Sequence, residues 1–114
     1  MRHHKANRKF HRVKRQRVAL LRSLARSLVM HDGIMTTVAK AKELRPFIER
    51  LVTKTKDGTL ASRRAVVVEL GGAAKMLYGM NEQFAKRTGG YTRIVRLGRV
   101  GKRAIESARI EFIK

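Results

Sequence analysis

Cysteine is absent from this 114-residue chain, which rules out disulfides and cysteine-based zinc sites. Acid is scarce. Eight Asp and Glu face 28 Lys and Arg, a formal net charge of +20, and no carboxylate precedes Asp32. Tryptophan is missing, and aromatics make up only 5% of the residues, too few for a surface of stacked bases. No apolar run approaches the ~20 residues of a membrane span. No apolar h-region of a secretory signal is present either. Proline occurs once, at Pro46, so breaks between elements must come from glycine and polar turns.

What remains is a basic chain with a core. Hydrophobic residues are 43%, too many for a disordered basic tail, and the length suits one domain. A compact body with this charge repels itself, and a polyanion relieves that repulsion. Nucleic acid is the first candidate partner and an anionic membrane surface the second. A solvated face normally mixes both signs of charge. The opening stretch MRHHKANRKFHRVKRQRVALLRSLARSLV does not.

Residues 1–9 lack apolar periodicity and read as a basic arm; residues 10–114 read as one domain. From Phe10 to His31 the pattern is helical. At ~100° per residue, Arg8, Arg12, Arg15, Arg22 and Arg26 fall within about 80° of arc. Val13, Leu20, Leu21, Leu24, Ala25 and Leu28 lie opposite. Arg17 sits among the apolar positions, either snorkelling to water or making a specific contact. Gly33 is the expected helix stop. Ile34–Thr37 favours a strand, and Thr36 or Thr37 can cap the next helix. Ala41, Leu44, Ile48 and Leu51 then mark a helix over about 38–56, kinked by Pro46. Leu60–Leu70 reads as a helix despite Val66-Val67-Val68, and Gly71-Gly72 ends it. Ala73, Met76, Leu77, Met80 and Phe84 form another helical stripe, interrupted near Gly79. Tyr91–Leu97 and Ala108–Ile113 read as two strands of an antiparallel hairpin, joined by a basic loop at 99–103. The expected fold class is α+β: a small mixed or antiparallel sheet of about three strands, packed against three or four helices.

No catalytic constellation stands out. The carboxylates are scattered, and Glu43 is expected to pair with Lys40 or Lys42. His3, His4 and His11 have no acidic neighbour and no spacing suited to a metal. There is no phosphate-cradling glycine loop. Phe47, Phe84 and Phe112 fall on apolar stripes and are expected in the core. Tyr91 either stacks on a base or starts a strand.

Three blocks, MRHHKANRKFHR at the start, TTVAKAKELR at 36–45 and GGYTRI at 89–94, together resemble the bacterial large-subunit ribosomal protein L-seventeen family. Their order and spacing agree with it over essentially the whole chain. The sequence departs from the family pattern at Val13-Lys14-Arg15, at Asn81-Glu82 and in the short hairpin loop. The resemblance implies a non-enzymatic structural constituent of the large ribosomal subunit. Such a protein binds large-subunit (23S-type) rRNA near the outer opening of the peptide exit tunnel. Neighbouring large-subunit proteins are the other implied partners. No cofactor, small-molecule substrate or membrane is expected. The implied location is the cytoplasmic ribosome of a bacterium, with an organelle as the alternative, since the acid-free start is transit-like.

Charge pattern and resemblance together nominate the RNA-facing residues. From the arm and first helix they are Arg2, His3, Lys5, Arg8, Lys9, Arg12, Lys14, Arg15, Arg17, Arg22 and Arg26. The central motif adds Thr36, Thr37, Lys40, Lys42 and Arg45. The late motif and hairpin add Tyr91, Thr92, Arg93, Arg96, Arg99, Lys102 and Arg103. A nucleoid-type DNA-binding protein is the competing reading.

Overall fold

Helix α1 starts at Lys14, a full turn later than the periodicity predicts. In the computed structural model, which describes residues 8–10, 12–101 and 105–114, the chain makes a turn before it. Phe10 adopts a left-handed backbone (φ 52°), and the Arg12 N–H donates to the Lys9 carbonyl at 3.0 Å. Arg8 and Arg12 therefore lie outside the helical arc expected of them. On α1 (Lys14–His31) the inner face is Ala25, Leu28 and Val29, all buried. Val13, expected among the core residues, precedes the helix and is 59% exposed.

Asp32 ends α1 in the left-handed region (φ 64°). The predicted stop, Gly33, instead begins strand β1 (Gly33–Thr37). A short carboxylate side chain tolerates the left-handed position. Glycine follows one residue later, inside the sheet. A Cβ on Gly33 would crowd the Arg109 guanidinium, a flexible end that can swing aside, and come within 3.2 Å of Glu111 Cβ on the neighbouring strand.

Helix α2 (Val38–Asp57) runs unbroken past Pro46, which is exposed and costs one backbone hydrogen bond. Thr37 caps it, its hydroxyl accepting from the Lys40 N–H at 3.2 Å. The predicted stripe is buried in full, joined by Val38, Val52 and Thr55. Helix α3 (Leu60–Leu70) is helical through its three valines, and Thr59 caps it. Only Val66 and Leu70 of α3 turn inward. A 3₁₀ turn at Gly71–Ala73 leads to α4 (Ala74–Gly79) and the single turn α5 (Asn81–Phe84).

Strands β2 (Thr92–Val100) and β3 (Ile105–Phe112) form the predicted hairpin, with strands longer than the sequence suggests. Pairing continues to Val100 opposite Ile105, so Arg99 and Val100 of the expected 99–103 loop are strand, and Lys102 and Arg103 lie outside the described residues. The register shifts between Arg96 and Gly98, where Gly98 (φ 79°) supplies the backbone a bulge requires. β1 pairs with the other side of β3, giving an antiparallel sheet of order β1-β3-β2. The fold is α+β, as predicted.

Alternation along β3 separates the faces. Ala108, Ile110 and Phe112 point into the core, while Arg109 is exposed. Across the sheet, Ile34, Ile110 and Ile94 stand in one row. Phe84 closes the end of the core, 5.3 Å from the Tyr91 ring in edge-to-face contact and 5.6 Å from Phe112. No helix among the described residues is long and apolar enough to cross a membrane.

Candidate nucleic-acid interface

The start of α1 is electrostatically unusual. Caps satisfy the first turns of α2 and α3, but Val13 gives α1 no side-chain cap. No acid occupies its first turn, and Lys14, Arg15 and Arg17 do. Cations at the positive end of a helix are unfavourable, and free N–H groups there attract anions. Arg17 does not simply snorkel. Its Nη1 donates to the Arg12 carbonyl at 2.9 Å, and Arg12 Nη1 reaches the Phe10 carbonyl at 3.1 Å. Further back, Arg8 Nη1 lies 3.0 Å from Glu43 Oε1 on α2. Glu43 was expected to take a neighbouring lysine. The partner 35 residues away wins because it meets a carboxylate only 10% exposed, where an ion pair is less screened. Lys9, Arg12, Lys14 and Arg15 remain exposed along this stretch.

Helix α2 also meets the start of β2. Thr92 donates to Glu49 Oε2 at 2.8 Å, and Arg45 Nε approaches the same oxygen at 3.4 Å. Lys42 and Arg50 are exposed on the helix, without a carboxylate partner among the described residues.

On the outer sheet face, Glu111 receives Arg93 at 2.8 Å and Arg109 at 3.2 Å. The Arg93 hydrogen bond chiefly lowers the Glu111 pKa, against some desolvation; Arg109 adds to the lowering. Arg96 and Arg99 extend the basic surface along the hairpin, both exposed. Arg22 is committed elsewhere. It holds Glu69 of α3 at 2.8 Å, and that hydrogen bond raises the arginine's pKa further above its ordinary value.

The model of the family described as Ribosomal protein L17 matches residues 20–113. The chain is 50% identical to the large ribosomal subunit protein bL17 of Gemmatimonas aurantiaca, covering 99% of this chain and 98% of that one. It is 45% identical to the bL17 of Hydrogenobaculum sp. over 100% of both chains. With the bL17 of Sphingopyxis alaskensis it shares 43% identity, over 99% of this chain and 84% of that one. The chain belongs to the ribosomal protein L17 family.

In this L17 family member the nominated residues divide into groups. Arg8, Lys9, Arg12, Lys14, Arg15 and Arg17 come together around the turn and the first turn of α1. Arg26 is exposed further along α1. Lys42 and Arg45 lie on the outer side of α2, and Lys40 is half-buried in its first turn. Arg93, Arg96 and Arg99 line β2. Thr36 is half-buried in β1, and Thr37 spends its hydroxyl on the cap. Tyr91 and Thr92 are inside, 2% and 1% exposed. Of the two readings of Tyr91, the buried ring fits the residue leading into a strand. Arg2, His3, Lys5, Lys102 and Arg103 lie outside the described residues.

Other exposed cations escaped the sequence reading. Arg50 and Lys54 continue the outer side of α2, and Arg64 lies on α3. Arg109 faces outward, opposite Met35 on β1 and Val95 on β2. Strict alternation from Ala108 would have placed Arg109 outside. The Arg8–Glu43 and Arg22–Glu69 pairings had no local signal, because their partners lie 35 and 47 residues apart.

Proposed function

We propose that this chain is a structural, non-catalytic constituent of the large ribosomal subunit in the bacterial cytoplasm. It binds large-subunit rRNA by neutralising phosphates and matching the shape of the folded RNA. Membership in the L17 family supports the ribosomal role. One structural observation carries the RNA reading: the carboxylates are largely spent inside the protein. Glu43, Glu49, Glu69 and Glu111 each hold an arginine, and Asp32 holds Lys114. Lys9, Lys14, Arg15, Arg26, Lys42, Arg96 and Arg99 are exposed with no carboxylate partner among the described residues. Such a surface suits a backbone of phosphates. Scarce exposed aromatics suit recognition by shape rather than by stacking on single-stranded bases.

The basic arm at 1–9, with Arg2, His3 and Lys5, and the basic residues Lys102 and Arg103 would add further phosphate-binding charge. Neighbouring large-subunit proteins complete the setting, and the family resemblance implies a site near the exit-tunnel opening. Fractionating a cell lysate on a sucrose gradient under high salt tests the proposal. The protein should stay with large subunits and assembled ribosomes. Release to the top of the gradient, or migration with chromosomal DNA, would overturn it.

A further inference from the structure

We propose that Glu43 is a positioning residue for RNA binding, although it carries the wrong charge to touch RNA. The inference rests on the reading of the basic surface as a phosphate-binding one.

The segment before α1 is fastened at both ends. At one end Arg8 reaches Glu43 at 3.0 Å. At the other, Arg17 on α1 holds the Arg12 carbonyl at 2.9 Å. Between them the chain reverses through Phe10, whose left-handed backbone (φ 52°) is unfavourable for a bulky residue. Such a conformation persists only where its surroundings hold it. The Arg12 N–H closes the turn on Lys9, and its guanidinium closes it again on Phe10.

The exposed cations of this segment are Lys9 and Arg12, two of those the interface needs. Loose, each would lose freedom on meeting RNA, and affinity would fall accordingly. Fastened, they are set in place beforehand. Glu43 is suited to the task. Its side chain is 10% exposed on α2, a rigid helix packed on the core, whereas Arg8 is 38% exposed. The carboxylate is the fixed post and the arginine is the line tied to it.

Charge counting and positioning give opposite signs for one substitution. Glu43→Gln keeps the shape and raises the formal net charge by one. If charge alone mattered, binding to RNA would tighten. Positioning predicts weaker binding, by about three- to tenfold, with the salt slope unchanged because the final phosphate contacts are the same. The experiment is filter binding of the full chain to large-subunit rRNA folded in Mg²⁺, with amide exchange on the free protein. In E43Q the Arg12 amide should exchange faster while α2 core amides hold. The swap R8E/E43R restores the net charge and reverses the pair, and should recover part of the lost affinity. Equal or tighter binding by E43Q, or no recovery in the swap, overturns the role of Glu43 and leaves RNA binding standing. If the wild-type chain itself shows no salt-sensitive binding, the RNA reading fails and this inference with it.

Discussion

The Thr92 hydroxyl donates to Glu49 Oε2 at 2.8 Å, joining the first residue of β2 to the middle of α2. Thr92 is 1% exposed, and Arg45 approaches the same carboxylate oxygen from the solvent side. A residue nominated for RNA contact thus works as a brace between sheet and helix. Thr92→Val keeps the β-branched shape and removes the donor. It should cost about 1–2 kcal/mol in urea denaturation, the range for a buried polar partner left short of a bond. RNA affinity of the folded variant should stay within twofold.

Tyr91 is similarly placed. Its ring packs edge-to-face on Phe84, and Lys56 Nζ donates to its hydroxyl at 3.2 Å. Tyr91→Ala should destabilise by about 3–5 kcal/mol, as for other large buried aromatics. Tyr91→Phe should cost about 1 kcal/mol or less and leave RNA binding intact. A marked loss of RNA affinity in the folded Phe variant would point to contact through the hydroxyl.

The Glu111 pKa is lowered, mainly by Arg93, so the unfolded chain takes up this proton at higher pH than the native one. Its contribution is complete above the ordinary carboxylate range. It declines as pH falls through that range and is lost below the lowered native value. Urea midpoints of wild type and Glu111→Gln should therefore differ at neutral pH and converge in acid. The difference should be small and shrink with salt, because the groups face solvent.

Free and spent basic residues should separate in RNA binding. Lys14→Ala and Arg15→Ala should each weaken binding and reduce the salt slope by about 1. Arg22→Ala should leave the slope unchanged and lower stability, because Arg22 already serves Glu69. Equal slopes across all three variants would mean that carboxylate pairing does not sort these cations.

Local patterns made most of the fold readable. The Ala41, Leu44, Ile48 and Leu51 stripe was legible from spacing, and Thr37 from its place before a helix. The β2–β3 hairpin followed from alternation and the glycines at 89–90. What escaped depended on distance or on backbone detail. Periodicity ran the first helix back to Phe10, because Arg8 and Arg12 happen to continue the arc. It could not register that Phe10 is held in a left-handed turn. Gly33 resembled a stop, but it lies in β1, where a Cβ would crowd the Arg109 guanidinium and approach Glu111 Cβ at 3.2 Å. For the interface, composition gave the sign of the partner and the general region. It could not tell a free arginine from one tied to Glu43 or Glu69, since those partners lie 35 and 47 residues along the chain.

The most direct measurement is the affinity of the full chain for Mg²⁺-folded large-subunit rRNA as salt rises from 50 to 200 mM, with duplex DNA as the comparison. A protein making 6–10 phosphate contacts loses about 10³–10⁵ in affinity over that range. The account predicts a loss of this size, with rRNA bound more tightly than DNA at every salt. A flat response, or equal affinity for the two polymers near physiological salt, would contradict it.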